Sequence, residues 1–347
     1  MYLDKNKVNE MVYISKFAGT SEEFVQAGGG NTSVKIDDRY MLIKASGYQL
    51  GEVNRENGYS VVDYKKIVEW LDNREEELEK NDILQEVTIK GKKPSIETFL
   101  HSITDTYTIH THPLGVGILT TSSEGMKRLK EMFPEAVCVE YATPGIILAK
   151  KYFDATKKAK ENKIVFLKNH GLIVCASSMN EAVEKTEHIV MEVNKSLGLD
   201  KEALEKNLEL FKRLNKLDGQ ILVYDVTSES TKKAFEKASG VWEHKYTPDC
   251  VVYCGKKIFE IKSEQNIEEM LQTYLLEYGL PKAVMWGEHI FAVAENIGKA
   301  QEIGKVLDFT AKVYLNSMKN SVQTLSEEEV DFLLGWDSEK YRSQLKK

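Results

Sequence analysis

The chain has 347 residues, of which 42% are hydrophobic and 29% charged, and its formal net charge is −7. This balance is typical of a soluble globular protein with one large or two ordinary domains. The negative charge argues against a nucleic-acid binder and against a binder of anionic membranes. The first residues lack the apolar core of a signal peptide, and no apolar run reaches membrane-spanning length. We therefore expect a cytoplasmic protein with no nucleic-acid or membrane partner.

The first part of the chain alternates helical and strand-like patterns. Apolar residues at helical spacing predict an opening helix over residues 5–20. The loop QAGGGNTS follows; its backbone N–H groups suit an anion, although taken alone it is more typical of an ordinary turn. VKIDDRYMLIKAS predicts a β-hairpin, and residues 60–80 predict an acidic amphipathic helix.

Residues 94–117 carry the most informative pattern, which contains His110, Thr111, His112 and Pro113. In a strand, residues i and i+2 point to the same face, so the two histidines would offer two imidazoles to one metal ion. Pro113 lacks an N–H and marks the end of the strand. An isolated pair of this kind is more often two partly buried histidines.

A third imidazole would complete a zinc site, because catalytic Zn²⁺ usually takes three protein ligands and keeps one position open. The best candidate among the seven histidines is His170, in the segment IVFLKNHGLIVCA. The apolar runs on either side predict that it lies at a strand end or bulge, where Gly171 lets the backbone bend. Such a site suits the polarisation of a carbonyl and the stabilisation of an enediolate.

Glu97 lies just before this His pair, at a predicted helix start. Ser95 suits the N-cap and Pro94 precedes it. On the residues alone, Glu97 is an acid favoured by the helix dipole. His101 lies one turn further on the same face and is more typical of a packing residue.

The second half of the chain predicts a helix from Leu114 that breaks near residues 122–125, a long helix capped by Ser178, and a β/α alternation after residue 218. We expect domains at residues 1–217 and 218–325 and a helical tail at 326–347. CVVYC (250–254) predicts a strand, and all four cysteines are expected to be reduced thiols.

Six segments resemble the class II (zinc-dependent) aldolase/adducin family. They are AGGGNTSVK (27–35), IKASGYQLG (43–51), PSIETFLH (94–101), HTHP (110–113), YATPG (141–145) and KNHGLIV (168–174). They occur in the family's order and look most like the long-form rhamnulose-1-phosphate aldolases, without the dehydrogenase domain of the bifunctional forms. The resemblance implies an α/β fold: a three-layer α/β/α core with a central, mainly antiparallel sheet, plus a smaller C-terminal α/β domain.

The resemblance also implies a site. One Zn²⁺ per chain would be held by His110, His112 and His170, and Glu97 would be the catalytic acid/base. The phosphate of a small sugar substrate would be held by Asn31, Ser46, Gly47 and Ser95. The reaction would cleave a ketose 1-phosphate to dihydroxyacetone phosphate and a hydroxyaldehyde. The residue that protonates the aldehyde side is not identified by the sequence.

Two other functions remain open at this stage. One is a sugar-phosphate 4-epimerase or dehydratase, which would share the histidines and differ in its further acid/base residues. The other is a non-catalytic adducin-like module, against which the presence of His110, His112, His170 and Glu97 argues. Family members usually assemble as cyclic tetramers, so the resemblance implies a homo-oligomer.

Overall fold

The computed structural model describes residues 4–73, 83–157, 163–237, 240–317 and 322–335. The chain divides into two compact units, Met1–Gln220 and Ile221–Lys347. Each unit has its own β-sheet. Within the described ranges, no helix combines the length and apolar character needed to cross a membrane.

An eight-stranded sheet forms the centre of the first unit. Its strands are β1 (Asn31–Lys35), β2 (Tyr40–Lys44), β3 (Tyr59–Asp63), β4 (Thr88–Gly91), β5 (Tyr107–Thr111), β6 (Val137–Val139), β7 (Ile164–Leu167) and β8 (Gly171–Ala176). The spatial order is β4-β3-β2-β1-β5-β8-β7-β6. Neighbouring strands are antiparallel except β6 and β7, which are parallel.

Helices cover both faces of this sheet. They are α1 (Lys5–Ala18), α2 (Tyr64–Asn73), α3 (Ile83–Val87), α4 (Thr98–Ser102), α5 (Leu114–Thr120), α6 (Ser123–Met132), α7 (Ile146–Lys157), α8 (Met179–Leu197) and α9 (Glu202–Asp218). Met41 and Ile43 of β2 share an apolar cluster with α2, α3, α4 and α7. Leu42, which points to the opposite face, is also fully buried, and α1 and α8 contact the sheet. The predicted α/β/α core with a mainly antiparallel sheet is confirmed.

Two predictions about local structure in this unit are wrong. Residues 60–63 belong to β3, which pairs with β2, and the helix starts only at Tyr64. The β-branched Val61 and Val62 are buried in the sheet, so pairing overrides the helical pattern read from the whole segment. Residues 74–80 of the predicted helix lie outside the described ranges. Ser95 is not the N-cap of α4, because Glu97 occupies that position.

The second unit is a smaller α/β structure, as predicted. Its sheet has the order β10-β11-β12-β9. The strands are β9 (Leu222–Asp225), β10 (Phe259–Ile261), β11 (Ala283–Trp286) and β12 (His289–Ala294). The helices are α10 (Glu229–Lys237), α11 (Pro248–Cys254), α12 (Ile267–Tyr278), α13 (Ile297–Asn316) and α14 (Glu327–Gly335). One apolar cluster joins α10, α11 and α13 to the strands.

The strand predicted for residues 250–254 is wrong, because these residues form most of α11. Pro248 occupies the first turn of that helix, where a missing N–H costs nothing, and Gly255 with φ 78° ends it. The buried residues Cys250, Val251 and Cys254 follow helical rather than alternating spacing. All four cysteines are free thiols.

Candidate metal and substrate site

His110 and His112 are brought together by β5. This strand is central, and His110 lies opposite Asn31 of β1 and Ile173 of β8. The chain leaves the strand at His112, whose N–H donates to the carbonyl of Phe24 at 2.8 Å. The Nε2 atoms of the two histidines are 2.9 Å apart. His110 is completely buried, whereas His112 is partly exposed, so the pair is open on one side.

His170 reaches this pair from the turn between β7 and β8. Its N–H donates to the carbonyl of Leu167 at 3.1 Å, and the preceding Asn169 has φ 57°. Asparagine tolerates this left-handed conformation better than most residues. The centroid of the His170 ring is 4.9 Å from that of His110 and 5.0 Å from that of His112. The turn therefore places a third imidazole beside the other two.

Glu97 adds a carboxylate from the N-terminus of α4. Its Oε1 atom is 3.1 Å from Nε2 of His170 and 3.5 Å from Nε2 of His110. Its Oε2 atom accepts a hydrogen bond from the side-chain amide of Asn31. The ligand atoms of Glu97, His110, His112 and His170 all lie within 4.8 Å of one another. Four side chains from three separate segments thus meet at one point.

Burial controls the charge of this cluster. It lowers the pKa of His110 well below the ordinary value and that of His112 to about 4, so both imidazoles are neutral near pH 7. Burial alone would raise the pKa of Glu97. The neighbouring His110 and the hydrogen bond from His170 outweigh it, and the pKa of Glu97 lies below its usual range. The carboxylate is therefore ionised.

This donor set suits a divalent cation. Neutral imidazole nitrogens and an ionised carboxylate oxygen are the protonation states that bind a metal. The close approach of the His110 and His112 Nε2 atoms directs two nitrogens at the same point. The cluster therefore fits a metal ion held by three imidazoles, with Glu97 within reach.

The predicted phosphate residues lie around the same cluster but differ in their availability. Asn31 and Ser95 are buried: the Asn31 amide holds Glu97, and the Ser95 hydroxyl accepts the N–H of Glu97 at 3.3 Å. Ser46 and Gly47 are exposed. The N–H of Ser46 donates to the carbonyl of Lys93 at 2.9 Å, and that of Ser95 to the carbonyl of Lys44 at 3.2 Å. These backbone bonds join the segments that carry Ser46 and Ser95.

The glycine-rich loop lies directly against the histidines. A Cβ atom at Gly29 would lie 2.9 Å from Nδ1 of His112. Gly30 has φ 72°, and a Cβ there would lie 2.9 Å from the carbonyl of His110. Only glycine allows the loop to approach this closely. The predicted turn is thus a wall of the site.

Lys44 is a residue of the site that sequence analysis missed. It is 3% exposed, and its ammonium donates to the carbonyl of Tyr48 at 2.6 Å and to that of Gly28 at 3.4 Å. Burial lowers its pKa, against the opposing charges of Glu97 and Glu52. Lys44 is the last residue of β2, and the sequence of this strand gives no sign of a functional role. Only the fold places the charge of Lys44 between the glycine-rich loop and the Ser46 segment.

His101 is a buried packing residue of α4. Its Nδ1 atom lies 2.7 Å from the hydroxyl of Ser33, and burial lowers its pKa to about 4. Its ring therefore supports the base of α4 as a neutral group. It is not a member of the cluster formed by Glu97 and the other three histidines.

The fold and the cluster define an α/β protein with four side chains that could hold a metal ion, at the C-terminal end of the central strand β5. A model of the class II aldolase and adducin N-terminal domain matches residues 9–192. The chain belongs to this class II aldolase and adducin family.

Individual relatives are distant. A protein of Bacillus subtilis (strain 168) named uncharacterized oxidoreductase YuxG is 27% identical over 205 residues, which are 55% of this chain and 30% of that protein. The chain thus spans less than a third of that relative. The N-terminal class II aldolase domain of a conserved Thermoplasma acidophilum protein superposes with a TM-score of 0.51 at 24% identity, covering 57% of this chain and 96% of that one. It shows the same fold.

A second solved structure is less similar. YgbL of Klebsiella pneumoniae, described as a putative aldolase/epimerase/decarboxylase, has a TM-score of 0.44 at 20% identity. The superposition covers 60% of this chain and 100% of that chain.

Proposed function

We propose that the protein is a zinc-dependent aldolase that cleaves a ketose 1-phosphate, similar to rhamnulose 1-phosphate, into dihydroxyacetone phosphate and a hydroxyaldehyde. The observation that carries this proposal is the meeting of Glu97, His110, His112 and His170, whose ligand atoms lie within 4.8 Å of one another. Membership of the class II aldolase and adducin family supports a lyase-type enzyme.

In this proposal each residue of the cluster has a distinct task. His110, His112 and His170 would hold Zn²⁺, which when bound supplies the Lewis acidity that polarises a carbonyl. Glu97 would move the proton at the nucleophilic carbon of dihydroxyacetone phosphate. The hydrogen bond from Asn31 to Oε2 orients this carboxylate. The Glu97 carboxylate is buried and contacts both Asn31 and His170, so its position in the cluster is fixed.

The phosphate would bind beside the cluster at Asn31, Ser46, Gly47 and Ser95. The exposure of Ser46 and Gly47 supports this placement, because the Ser46 hydroxyl and the Gly47 backbone remain accessible to a ligand. The backbone bonds between the Ser46 and Ser95 segments hold these donors near Glu97. Binding of the remote phosphate would then fix the reacting carbon relative to the carboxylate.

We also propose that the chain forms a homo-oligomer. Ile96, Tyr141 and Ile147 are large hydrophobic residues that are 36%, 57% and 55% exposed. Ile96 precedes Glu97 and contacts the loop at Gly145. A second copy that covers this region would exclude water beside the site. Light scattering behind a sizing column should then give a mass above the 39.5 kDa of one chain.

An aldol-cleavage assay tests the proposed reaction. The zinc-loaded protein is incubated with a panel of ketose 1-phosphates, and dihydroxyacetone phosphate is measured by coupled reduction. We expect turnover of at least one member. Glu97→Gln should abolish it, with a loss of about 10³-fold or more, while the protein stays folded.

Matched assays separate the other functions. Interconversion of pentulose phosphates without cleavage would identify an epimerase, and loss of water without cleavage a dehydratase. Purified protein with well under one zinc per chain, and no turnover after zinc loading, would instead favour an adducin-like module. The name oxidoreductase belongs to a relative of which this chain spans only 30%.

A further inference from the structure

The second unit contains a cavity of about 930 Å³ that the proposed reaction does not use. This volume falls within the range of small-molecule binding pockets, about 300–1,000 Å³. Its lining includes the buried apolar residues Ile258, Phe259, Met285 and Val330. The cavity lies wholly within the second unit. Apolar walls of this kind favour the burial of an apolar ligand.

Lys245 lines the cavity and is the unusual residue in it. It is only 6% exposed. Among the described residues, no carboxylate and no hydrogen-bond acceptor pairs with its ammonium. Burial lowers its pKa, and the thiols of Cys254 and Cys250 act in the opposite sense. Holding an unpaired amine away from water is costly, so this position favours an anionic partner.

Other charges around the cavity are already compensated or solvated. Lys256 pairs with Asp331 at 2.5 Å, and Lys262 pairs with Glu260 at 3.2 Å. The lining carboxylates Glu243, Glu269, Glu277 and Glu327 are exposed. The indole N–H of Trp242, on the buried wall, has no hydrogen-bond partner. Among the described residues of the lining, Lys245 is therefore the cation that is both buried and without a partner.

We propose that this cavity binds a small organic anion with an apolar body. Lys245 is the charge partner of the anionic group, and Phe259, Met285 and their neighbours contact the apolar part. A purely inorganic anion would leave the apolar walls wet, and a neutral apolar molecule would leave the amine unpaired. Only a ligand with both features satisfies the cavity.

Two fluorescent probes that differ in charge test this proposal on the full chain. We expect anilinonaphthalene sulfonate, an anion with an aromatic body, to bind saturably, and Lys245→Met to weaken it about ten-fold or more. The neutral N-phenyl-1-naphthylamine should bind both proteins within about two-fold, because the apolar walls are unchanged. Lys262→Met, which removes an exposed cation of the same cavity, should leave both affinities within about two-fold. Equal affinity of wild type and Lys245→Met for the sulfonate would overturn the proposal.

Thermal unfolding without a probe provides an independent readout. Because the amine is unpaired, its replacement by methionine should raise the melting temperature of the second unit. A lowered melting temperature would mean that Lys245 is a structural residue and would overturn the proposal. Thr273→Trp, at an exposed lining position, should block both probes without altering the core. Unchanged binding of both probes in that variant would show that they bind elsewhere and would equally overturn it.

Discussion

His170 joins the cluster from a turn, and its partners come from other segments of the chain. Removing it leaves His110 and His112 with one open side and takes away the group that hydrogen-bonds Glu97 at 3.1 Å. We predict that His170→Ala lowers the zinc content after dialysis from about one ion per chain to less than about a tenth. Elemental analysis of the purified protein measures this directly.

His188 offers the matched control for that experiment. It is an exposed histidine of α8, outside the cluster. His188→Ala should retain the zinc content of the wild type. If both variants lose metal equally, binding is nonspecific; if neither does, the ion is held elsewhere.

Lys44 is not among the site residues predicted from the sequence, and we expect it to contribute to binding of the substrate phosphate. Its ammonium donates to the carbonyl of Gly28 in the glycine-rich loop and to that of Tyr48, two residues after Ser46. Lys44→Met should raise the KM for a phosphorylated substrate about ten-fold, because a buried cation near the anion is lost, and leave the zinc content unchanged. Steady-state kinetics with metal analysis measure both quantities.

The exposed Lys90 of β4 provides the comparison for Lys44. Lys90→Met should leave KM within about two-fold, since an exposed single charge is screened by solvent. A fall in kcat and in zinc content for Lys44→Met, at constant KM, would instead identify Lys44 as a support of the metal site.

Some residues of the site could be predicted and others could not, for a physical reason. His110 and His112 lie two residues apart in a strand, so the period of the strand places them together. Lys44 has no such local signal, because its role depends on the folding of the segments around Gly28 and Tyr48 over its side chain. Long-range burial of a charge cannot be read from a local pattern.

The β7–β8 hairpin is the element that positions the third imidazole, and Gly171 is its most constrained residue. A Cβ atom there would lie 2.3 Å from the carbonyl of Thr111 and 2.9 Å from Cδ2 of His112. We predict that Gly171→Ala separates β8 from β5, destabilises the fold by about 1–3 kcal/mol and weakens metal retention. Chemical denaturation and metal analysis measure the two effects.

Gly117 gives the opposite expectation for the same substitution. It lies in α5, and a Cβ atom there would meet nothing within 4 Å. Gly117→Ala should stabilise the protein by about 0.5–1 kcal/mol, because alanine loses less conformational entropy in a helix. Equal effects of the two substitutions would contradict the close packing of β8 on β5.

The elements that were predicted wrongly show where tertiary pairing dominates. Val61 and Val62 directly precede the amphipathic helix α2, and their apolar side chains continue its helical spacing. In the structure they belong to strand β3 of the sheet. Residues 250–254 have strand-like composition, yet Pro248 and Gly255 delimit a helix whose buried face packs on α13. In both cases a contact with another element of the fold, β2 or α13, outweighs the local pattern.

At the scale of the whole molecule, each unit has its own sheet and its own apolar core. The four residues of the proposed metal site lie in the first unit, and the cavity with Lys245 lies in the second. Ligands that bind a native unit stabilise that unit by mass action. A ligand of either site is therefore expected to stabilise the unit that contains that site.

The last prediction uses this separation. Chelation of the metal should lower the stability of the first unit, by about 2.7 kcal/mol if zinc was present at a hundred times its dissociation constant. Hydrogen exchange read by mass spectrometry should then accelerate in the slowest peptides of β5 and β8. Peptides of β11 and β12, in the core of the second unit, should keep their protection. His170→Ala should show no response to the chelator, because its site is already incomplete. Equal loss of protection in β11 and β12 would mean that the stabilising ion is not confined to the histidine cluster or that both units unfold together.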